Sequence, residues 1–516
     1  DPKWVLYSDR IIISTTDNWS KHAEKALDNQ KIPVIRLSLR DLANSPIDWS
    51  QFSLKSLKPL PLKPKKTLRP HQTTALEKTI AHFTTADRGR LIMACGTGKT
   101  FTSLKIAEAM AGKQGFVLFL VPSISLLSQT LREWTAEAEV SLHSLAVCSD
   151  TKVGRRSDTE DLSTHDLPIP ATTDADKIAD HVKDFGCKKN LTVIFSTYQS
   201  IKVIYEAQSQ GMADFDLIIC DEAHRTTGLS EKGKKESYFL KVHDQKFIKG
   251  KKRLYMTATP KLYNDSSKII AKENDALLCS MDDEAIYGRE FHRLGFAEAV
   301  GNGLLADYKV MVLAVDEKYV SKTFQYQLAD SNNELSLGDA VKITGCWNGL
   351  SRRMTKDANG EEIMDDTPMR RAVAFSSRIK DSQKVTRLFA EIIEEYRKTN
   401  PDDEQILDCE LDHVDGSYNS LIRNKKLDWL KETPPDNTCR ILSNARCLSE
   451  GVDVPALDAV MFLSPRNSVV DVVQSVGRVM RKAEGKKYGY IILPIGIPAN
   501  MPPEVALKDH ERYKVV

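Results

Sequence analysis

Met93-Ala-Cys-Gly-Thr-Gly-Lys-Thr100 is the stretch on which the reading of this chain turns. The apolar run GRLIMA leads into it and the helical pattern FTSLKIAEAMA leads out of it. Strand, glycine-rich loop and helix in that order are the setting that a phosphate-binding loop requires. Gly96 and Gly98 let backbone N–H groups turn inward around phosphate oxygens, with Thr97 between them, and the helix adds its positive N-terminal end. Lys99 is placed to reach the β- and γ-phosphates of ATP, and Thr100 to hold Mg2+. Met93 stands where the common pattern GxxxxGK plus Ser or Thr has its first glycine, so the match is to the variant form lacking it. The competing reading is an incidental glycine-rich turn, which the order of elements disfavours.

The surrounding sequence repeats that alternation. The runs GFVLFLVP, LTVIFST, DLIIC and RLYMTAT are predominantly apolar and separated by helical patterns. A second series, YKVMVLAV, RRAVAFSS, ILDCELDHV, CRILSNA, DAVMFLS and YGYIILP, follows from near residue 301. Such strands predict parallel sheets covered on both faces, and the two series predict two α/β units in tandem, joined around residues 290–305. Ahead of them, residues 1–52 read as strand, helix, strand. Residues 53–67, SLKSLKPLPLKPKKT, hold three prolines and five lysines and read as a semi-rigid linker. The stretch 149–189 is acidic and Asp/Thr-rich and reads as an insertion, partly helical at DADKIADHVKDF.

Two further motifs complete a phosphoryl-transfer set. The strand FDLIIC ends in Asp221-Glu222-Ala223-His224. Asp221 is suited to bind Mg2+ through water and Glu222 to orient and deprotonate the attacking water, although a solvated helix start would look similar. Gln474-Ser-Val-Gly-Arg478-Val-Met-Arg481 carries two arginines three apart, one turn of a helix, able to face developing charge on the γ-phosphate. An exposed basic helix is the plainer alternative for that spacing.

Composition sets the outer bounds. The chain has 516 residues, 73 Lys+Arg against 71 Asp+Glu and a net charge of +2, with 41% hydrophobic and 28% charged residues. This is the profile of a folded globular protein of about three domains rather than of a disordered or fibrous chain. A total near neutrality argues neither for nucleic acid nor against it. No run of about 18 uncharged apolar residues predicts a membrane span. Nine scattered cysteines without CxxC spacing disfavour a zinc site or disulfide framework and suit a cytoplasmic location. The chain opens without methionine and reads as a piece of a longer polypeptide.

With these motifs in order, the chain resembles superfamily 2 helicases and translocases over residues 68–495. That resemblance implies two tandem RecA-like domains, 68–300 and 301–495, with parallel sheets, and a following helical segment beginning at 496–516. It implies that Leu68-Arg-Pro-His-Gln72 reads adenine through Gln72. Val121-Pro-Ser123 and Phe195-Ser-Thr-Tyr198 match nucleic-acid-contacting segments, through Ser123 and Thr197. In Met256-Thr-Ala-Thr-Pro260, Thr257 and Thr259 would couple the ATP site to the nucleic-acid groove. Ala374-Phe-Ser-Ser-Arg378 and Ser443-Asn-Ala-Arg446 resemble backbone-gripping motifs, through Ser377 and Arg446. Glu450-Gly-Val-Asp-Val-Pro455 brings Gly451 and Asp453 near nucleotide, and Gln474 joins Arg478 and Arg481 in the catalytic set. Ser123, Thr197, Ser377 and Arg446 could equally be turn or cap residues.

The stretch ISTTDNWSKHAEKALDNQKIPVIRLSLRDL resembles the C-terminal portion of Mrr-type nucleases, making residues 1–52 a fragment of an α/β nuclease-like domain. No D…(D/E)xK pattern precedes Ser14, so the nuclease centre is expected outside the chain. Nuclease tail, basic linker, motor and acidic insertion together look most like type ISP restriction-modification enzymes. The implied function is an ATP-dependent translocase on double-stranded DNA, with ATP and Mg2+ as cofactors. Covalently linked nuclease, methyltransferase and target-recognition domains are expected in the full-length chain. A strand-separating DNA or RNA helicase is the alternative. A nucleotide-gated DNA clamp is a second, which Glu222 and the two arginines disfavour.

Overall fold

A computed structural model describes residues 10–16, 19–28, 34–55, 58–149, 164, 167–185, 190–231, 237–273, 276–329, 335–356, 361–365, 367–402, 406–416, 418, 420–445, 454, 456–464 and 469–497. The chain divides between Gly295 and Phe296 into two units.

In the first unit β1 (Arg10–Ser14) pairs in parallel with β2 (Val34–Ser38), and the helix Lys21–Asp28 makes the crossover. The Pro/Lys segment that follows is tied down. Lys63 N–H donates to Pro46 O at 2.7 Å, and Lys66 Nζ sits 3.1 Å from Glu133 and 3.7 Å from Glu137 on the helix Ile124–Glu137. Asp41 pairs with Arg132 on that same helix.

The main strands are β3 (Arg88–Met93), β4 (Phe116–Val121), β5 (Leu142–Val147), β6 (Leu191–Thr197) and β7 (Phe215–Cys220). After them come β8 (Gly228–Glu231), β9 (Gly250–Thr257), β10 (Ala276–Cys279) and β11 (Arg289–Leu294). β8 and β10 form a separate antiparallel pair; the other seven form one sheet in the order β11-β3-β9-β7-β4-β6-β5, parallel throughout. β4 and β6 are buried along their whole length, as strands covered on both faces must be.

Two strands, β5 and β11, escape the apolar-run criterion. Both are sheet edges, half exposed, and carry His, Ser, Arg and Glu that an edge can leave in water. β11 is the last strand of the first unit. Residues 289–294 complete the first sheet, and the helix Phe296–Gly301 already belongs to the second unit. The helix Ala175–Phe185 lies within the expected insertion, yet Ile178 and Val182 pack into the core with Ile201 and Ile204.

The second unit contains β12 (Asp307–Asp316), an antiparallel hairpin of β13 (Arg353–Lys356) and β14 (Glu362–Asp365), then β15 (Arg371–Ser376), β16 (Asp408–Val414), β17 (Thr438–Ala445), β18 (Ala459–Phe462) and β19 (Tyr488–Ile497). Six of these form a parallel sheet ordered β12-β19-β18-β15-β17-β16. Helices Leu337–Leu350 and Ile379–Thr399 bury apolar residues on one face, and Ser420–Lys431 and Val469–Val479 on the other. Both units are thus RecA-like α/β layers. Among the described residues no helix is long and apolar enough to cross a membrane.

Leu118, at the centre of β4, is fully buried. Leu118→Ala should destabilise the first unit by about 2–5 kcal/mol, read as a lower denaturation midpoint. An unchanged midpoint would contradict a close-packed core there.

Candidate nucleotide site

Because the first sheet is parallel, the C-terminal ends of its strands lie along one edge, where loops can converge. The order β3-β9-β7-β4-β6 therefore sets the loop Ala94–Gly98, the segment Thr257–Thr259, the pair Asp221-Glu222, Pro122-Ser123 and Thr197-Tyr198 side by side. Residues far apart in sequence become neighbours through strand order alone.

The loop after β3 is built as a cradle. Gly96 and Gly98 have φ of +83° and +85°, the left-handed region that favours glycine. A Cβ at Gly98 would stand 2.4 Å from Gln72 Nε2. Thr97 Oγ1 donates to Ala94 O at 2.7 Å, and Lys99 Nζ folds back to Met93 O at 3.3 Å. Lys99 and Thr100 open the helix Lys99–Ala111, so the first-turn amides face the loop. The fully buried Trp134 donates from Nε1 to Thr100 O at 3.1 Å and fixes that helix from behind.

Gln72 lies over this loop, in a way the sequence does not foretell. Its Oε1 accepts from Arg69 N–H at 2.9 Å, and its Nε2 lies 3.4 Å from the carbonyls of Thr97 and Gly98. His71 Nε2 is 2.9 Å from Thr97 O. The pair therefore ties the start of the helix Pro70–His82 to the phosphate loop.

At the end of β7, Asp221 is buried and Glu222 adopts φ 47°, ψ 46°, a left-handed backbone that is costly for a non-glycine residue. Surrounding bonds hold it. Asp221 N–H donates to Leu120 O at 2.9 Å, and Tyr198 Oη donates to Asp221 O at 2.8 Å. Burial pushes the Tyr198 phenol well up, so it stays a donor. Glu222 Oε2 lies 3.3 Å from His224 Nδ1, which lies 3.0 Å from Thr257 Oγ1. Thr257 Oγ1 in turn accepts from Thr259 N–H at 3.1 Å. The sequence gives neither His224 nor Tyr198 an individual role: His224 is visible only as the last residue of Asp221-Glu222-Ala223-His224, and Tyr198 only as the last residue of Phe195-Ser-Thr-Tyr198.

Beneath this segment, Thr226 O accepts from His243 Nε2 at 2.9 Å and from Tyr287 Oη at 2.8 Å, while His243 Nδ1 accepts from Tyr255 Oη at 2.9 Å. Burial lowers the His243 pKa to about 4.

The nucleic-acid candidates are placed more plainly. Ser123 caps the helix Ile124–Glu137 by accepting from Leu126 N–H at 3.3 Å, the cap role its residue type allows. Thr197 is buried and donates to Ser200 Oγ at 3.2 Å. In the second unit Ser377 is exposed and sits 3.4 Å from Asp381 Oδ2. Gln474 and Arg478 are buried on the helix Val469–Val479. That helix ends at Val479, and Arg481 follows it in a tighter last turn. Arg481 N–H closes a tight turn on Arg478 O, and Met480 O is taken by Ala306 N–H at 2.7 Å. Arg446, Gly451 and Asp453 lie outside the described residues.

Residues 65–262 match the family described as type III restriction enzyme, res subunit, residues 3–58 match restriction endonuclease, and residues 356–483 match helicase conserved C-terminal domain. Among solved structures the chain is similar to the ATP-dependent Type ISP restriction-modification enzyme LlaBIII bound to DNA. That similarity has 47% identity and a TM-score of 0.84, over 98% of this chain and 33% of that one. A nuclease-deletion mutant of the Type ISP enzyme LlaGI, in complex with a DNA substrate mimic, is 40% identical with a TM-score of 0.57, over 86% and 28%. A probable helicase of African swine fever virus is 29% identical over 431 residues, 83% of this chain and 41% of its own length. The chain spans less than half the length of each of these relatives.

Two outcomes follow from the geometry. Gly98→Ala should weaken nucleotide binding at least about tenfold while leaving the protein folded, because the added methyl meets Gln72 and the backbone is left-handed there. Titration with a fluorescent nucleotide measures this, and wild-type affinity would refute the cradle. The second concerns pH. A histidine held at about 4 against an ordinary 6.5 binds its proton more readily when unfolded. Its contribution is therefore complete above pH 6.5 and is lost as pH falls towards 4, on the order of 3 kcal/mol in all. His243→Gln should show a shallower stability loss than wild type over that window, and parallel profiles would contradict the assignment.

Proposed function

Because the chain is a superfamily 2 helicase region, most like the nuclease-tail and ATPase region of type ISP restriction-modification enzymes, we propose that it is an ATP-hydrolysing motor that moves along double-stranded DNA. The observation that carries this is the convergence of Lys99, Thr100, Asp221, Glu222 and Thr257 at adjacent strand ends of one parallel sheet. Phosphate binding alone needs only the loop. Hydrolysis also needs a base, and coupling needs a group that feels the base.

In this reading the amides around Gly96 and Gly98 hold the phosphate chain of ATP, and Lys99 leaves Met93 O for the β- and γ-phosphates. Thr100 and Asp221 would hold Mg2+, which offsets phosphate charge when bound. Glu222 takes a proton from the attacking water, and His224 fixes the direction in which its carboxylate points. Arg478, with Gln474 and Arg481 beside it in sequence, supplies positive charge to the γ-phosphate in the transition state. Loss of the γ-phosphate alters what Glu222 and His224 face. Thr257 and Thr259 carry that change to the segments at Ser123 and Thr197, which hold the DNA backbone without reading its sequence. The two structural relatives, one bound to DNA and one in complex with a DNA substrate mimic, support DNA as the track.

Lys99→Ala should abolish ATP turnover, and Glu222→Gln should bind nucleotide but stall hydrolysis. Arg478→Ala should depress kcat by about 10³-fold or more with far less effect on ATP affinity. The functional test is ATPase stimulation by double-stranded DNA, single-stranded DNA and RNA in parallel. Stimulation chiefly by the duplex is expected; stimulation by RNA alone would overturn the proposal, as would normal turnover in Glu222→Gln.

A further inference from the structure

The second unit buries a chain of polar side chains that the reading above leaves unused. Ser382 Oγ lies 2.7 Å from His413 Nδ1, and His413 Nε2 lies 2.8 Å from Asp415 Oδ2. Ser443 Oγ lies 2.7 Å from Ser382 Oγ and donates to Ser382 O at 3.2 Å. Both serines are fully buried, and His413 and Asp415 are 6% and 3% exposed. Serine, histidine and carboxylate in sequence suggest a hydrolytic triad, but a hydroxyl with no exposed surface meets no substrate. The chain must serve another purpose, because burying such groups is costly unless each is bonded and an apolar core would avoid the cost.

Its position suggests the purpose. Ser382 is in the first turn of the helix Ile379–Thr399, which follows the exposed Ser377, and the neighbouring Asp381 accepts from Ser377 Oγ at 3.4 Å. His413 on β16 stands opposite Ser443 on β17, at the strand ends where the backbone-gripping segments begin. Asn444 Nδ2 adds a bond to Ala374 O at 2.9 Å, joining β17 to the strand that precedes Ser377. Asn444 thus links the Ala374–Arg378 segment to the end of β17, Ser443 links that end through Ser382 to the helix that follows the segment, and His413 is the member that reaches both the helix hydroxyl and the carboxylate.

We propose that His413 is a positioning residue that, through Ser382, Ser443 and Asp415, holds the two DNA-gripping segments of the second unit as one rigid surface. This rests on duplex DNA being the track of the motor. The network acts on the affinity of the grip and not on the hydrolytic step.

The test is steady-state ATPase of the whole chain titrated with a linear DNA duplex. His413→Phe keeps a ring and removes both polar ends. The duplex concentration for half-maximal stimulation should rise about tenfold, with kcat at saturating duplex within about twofold, the scale of losing one member of a bonded network. Ser443→Ala should shift it the same way by less, and serves if His413→Phe does not fold. His413→Gln, with a donor and an acceptor, should recover part of the loss. An unchanged half-saturation, with kcat falling only in proportion to folded protein, would reduce the network to a stability element and overturn the proposal. Absence of duplex stimulation in the unmodified chain would instead remove the proposed function, and this inference with it.

Discussion

A parallel strand cannot return to its neighbour by a tight turn, and this constraint organises the chain. Each strand must be followed by a crossover that covers a face of the sheet, so both faces are buried and all strands point one way. The C-terminal ends of β3, β9, β7, β4 and β6 consequently share one edge, although they are scattered from Met93 to Thr257 in sequence. The phosphate cradle, the carboxylate pair and the threonine segment need no dedicated scaffold. They are the places where buried strands stop.

Most of that architecture is legible in the amino-acid order. FVLFLV is apolar without interruption and LTVIFST carries only small hydroxyl residues among its apolar ones, because both their faces are buried. The edge strands β5 and β11 are not legible in the same way, since solvent on one side permits REFHRL and LHSLAV. The phosphate loop and the carboxylate pair stand out because local chemistry dictates them: glycines at left-handed positions, acids at a strand end. Gln72, His224 and Tyr198 are harder to read, since their roles depend on which strands are adjacent.

Charge illustrates the same point from the other side. The lysine-rich stretch before Leu68 looks suited to phosphates, yet Lys66 is paired with Glu133 and Glu137, Lys65 with Ala138 O, and Lys63 with the carbonyls of Ala43 and Ser45. Those cations moor the N-terminal segment to the first unit. A net charge of +2 therefore says little about a track, and the polar interior says more. In the first unit it runs from Glu222 through His224 to Thr257, and in the second from Ser443 through Ser382 and His413 to Asp415.

Movement along a duplex, rather than hydrolysis by itself, is the central claim, and displacement of a third strand measures it directly. A DNA duplex carrying a bound triplex-forming strand, mixed with the chain and ATP, should lose that strand with a lag that grows with distance from the loading end, while the duplex strands stay paired. Glu222→Gln should leave the triplex in place. Rapid ATP hydrolysis on the duplex with no displacement at any distance would contradict a translocating motor.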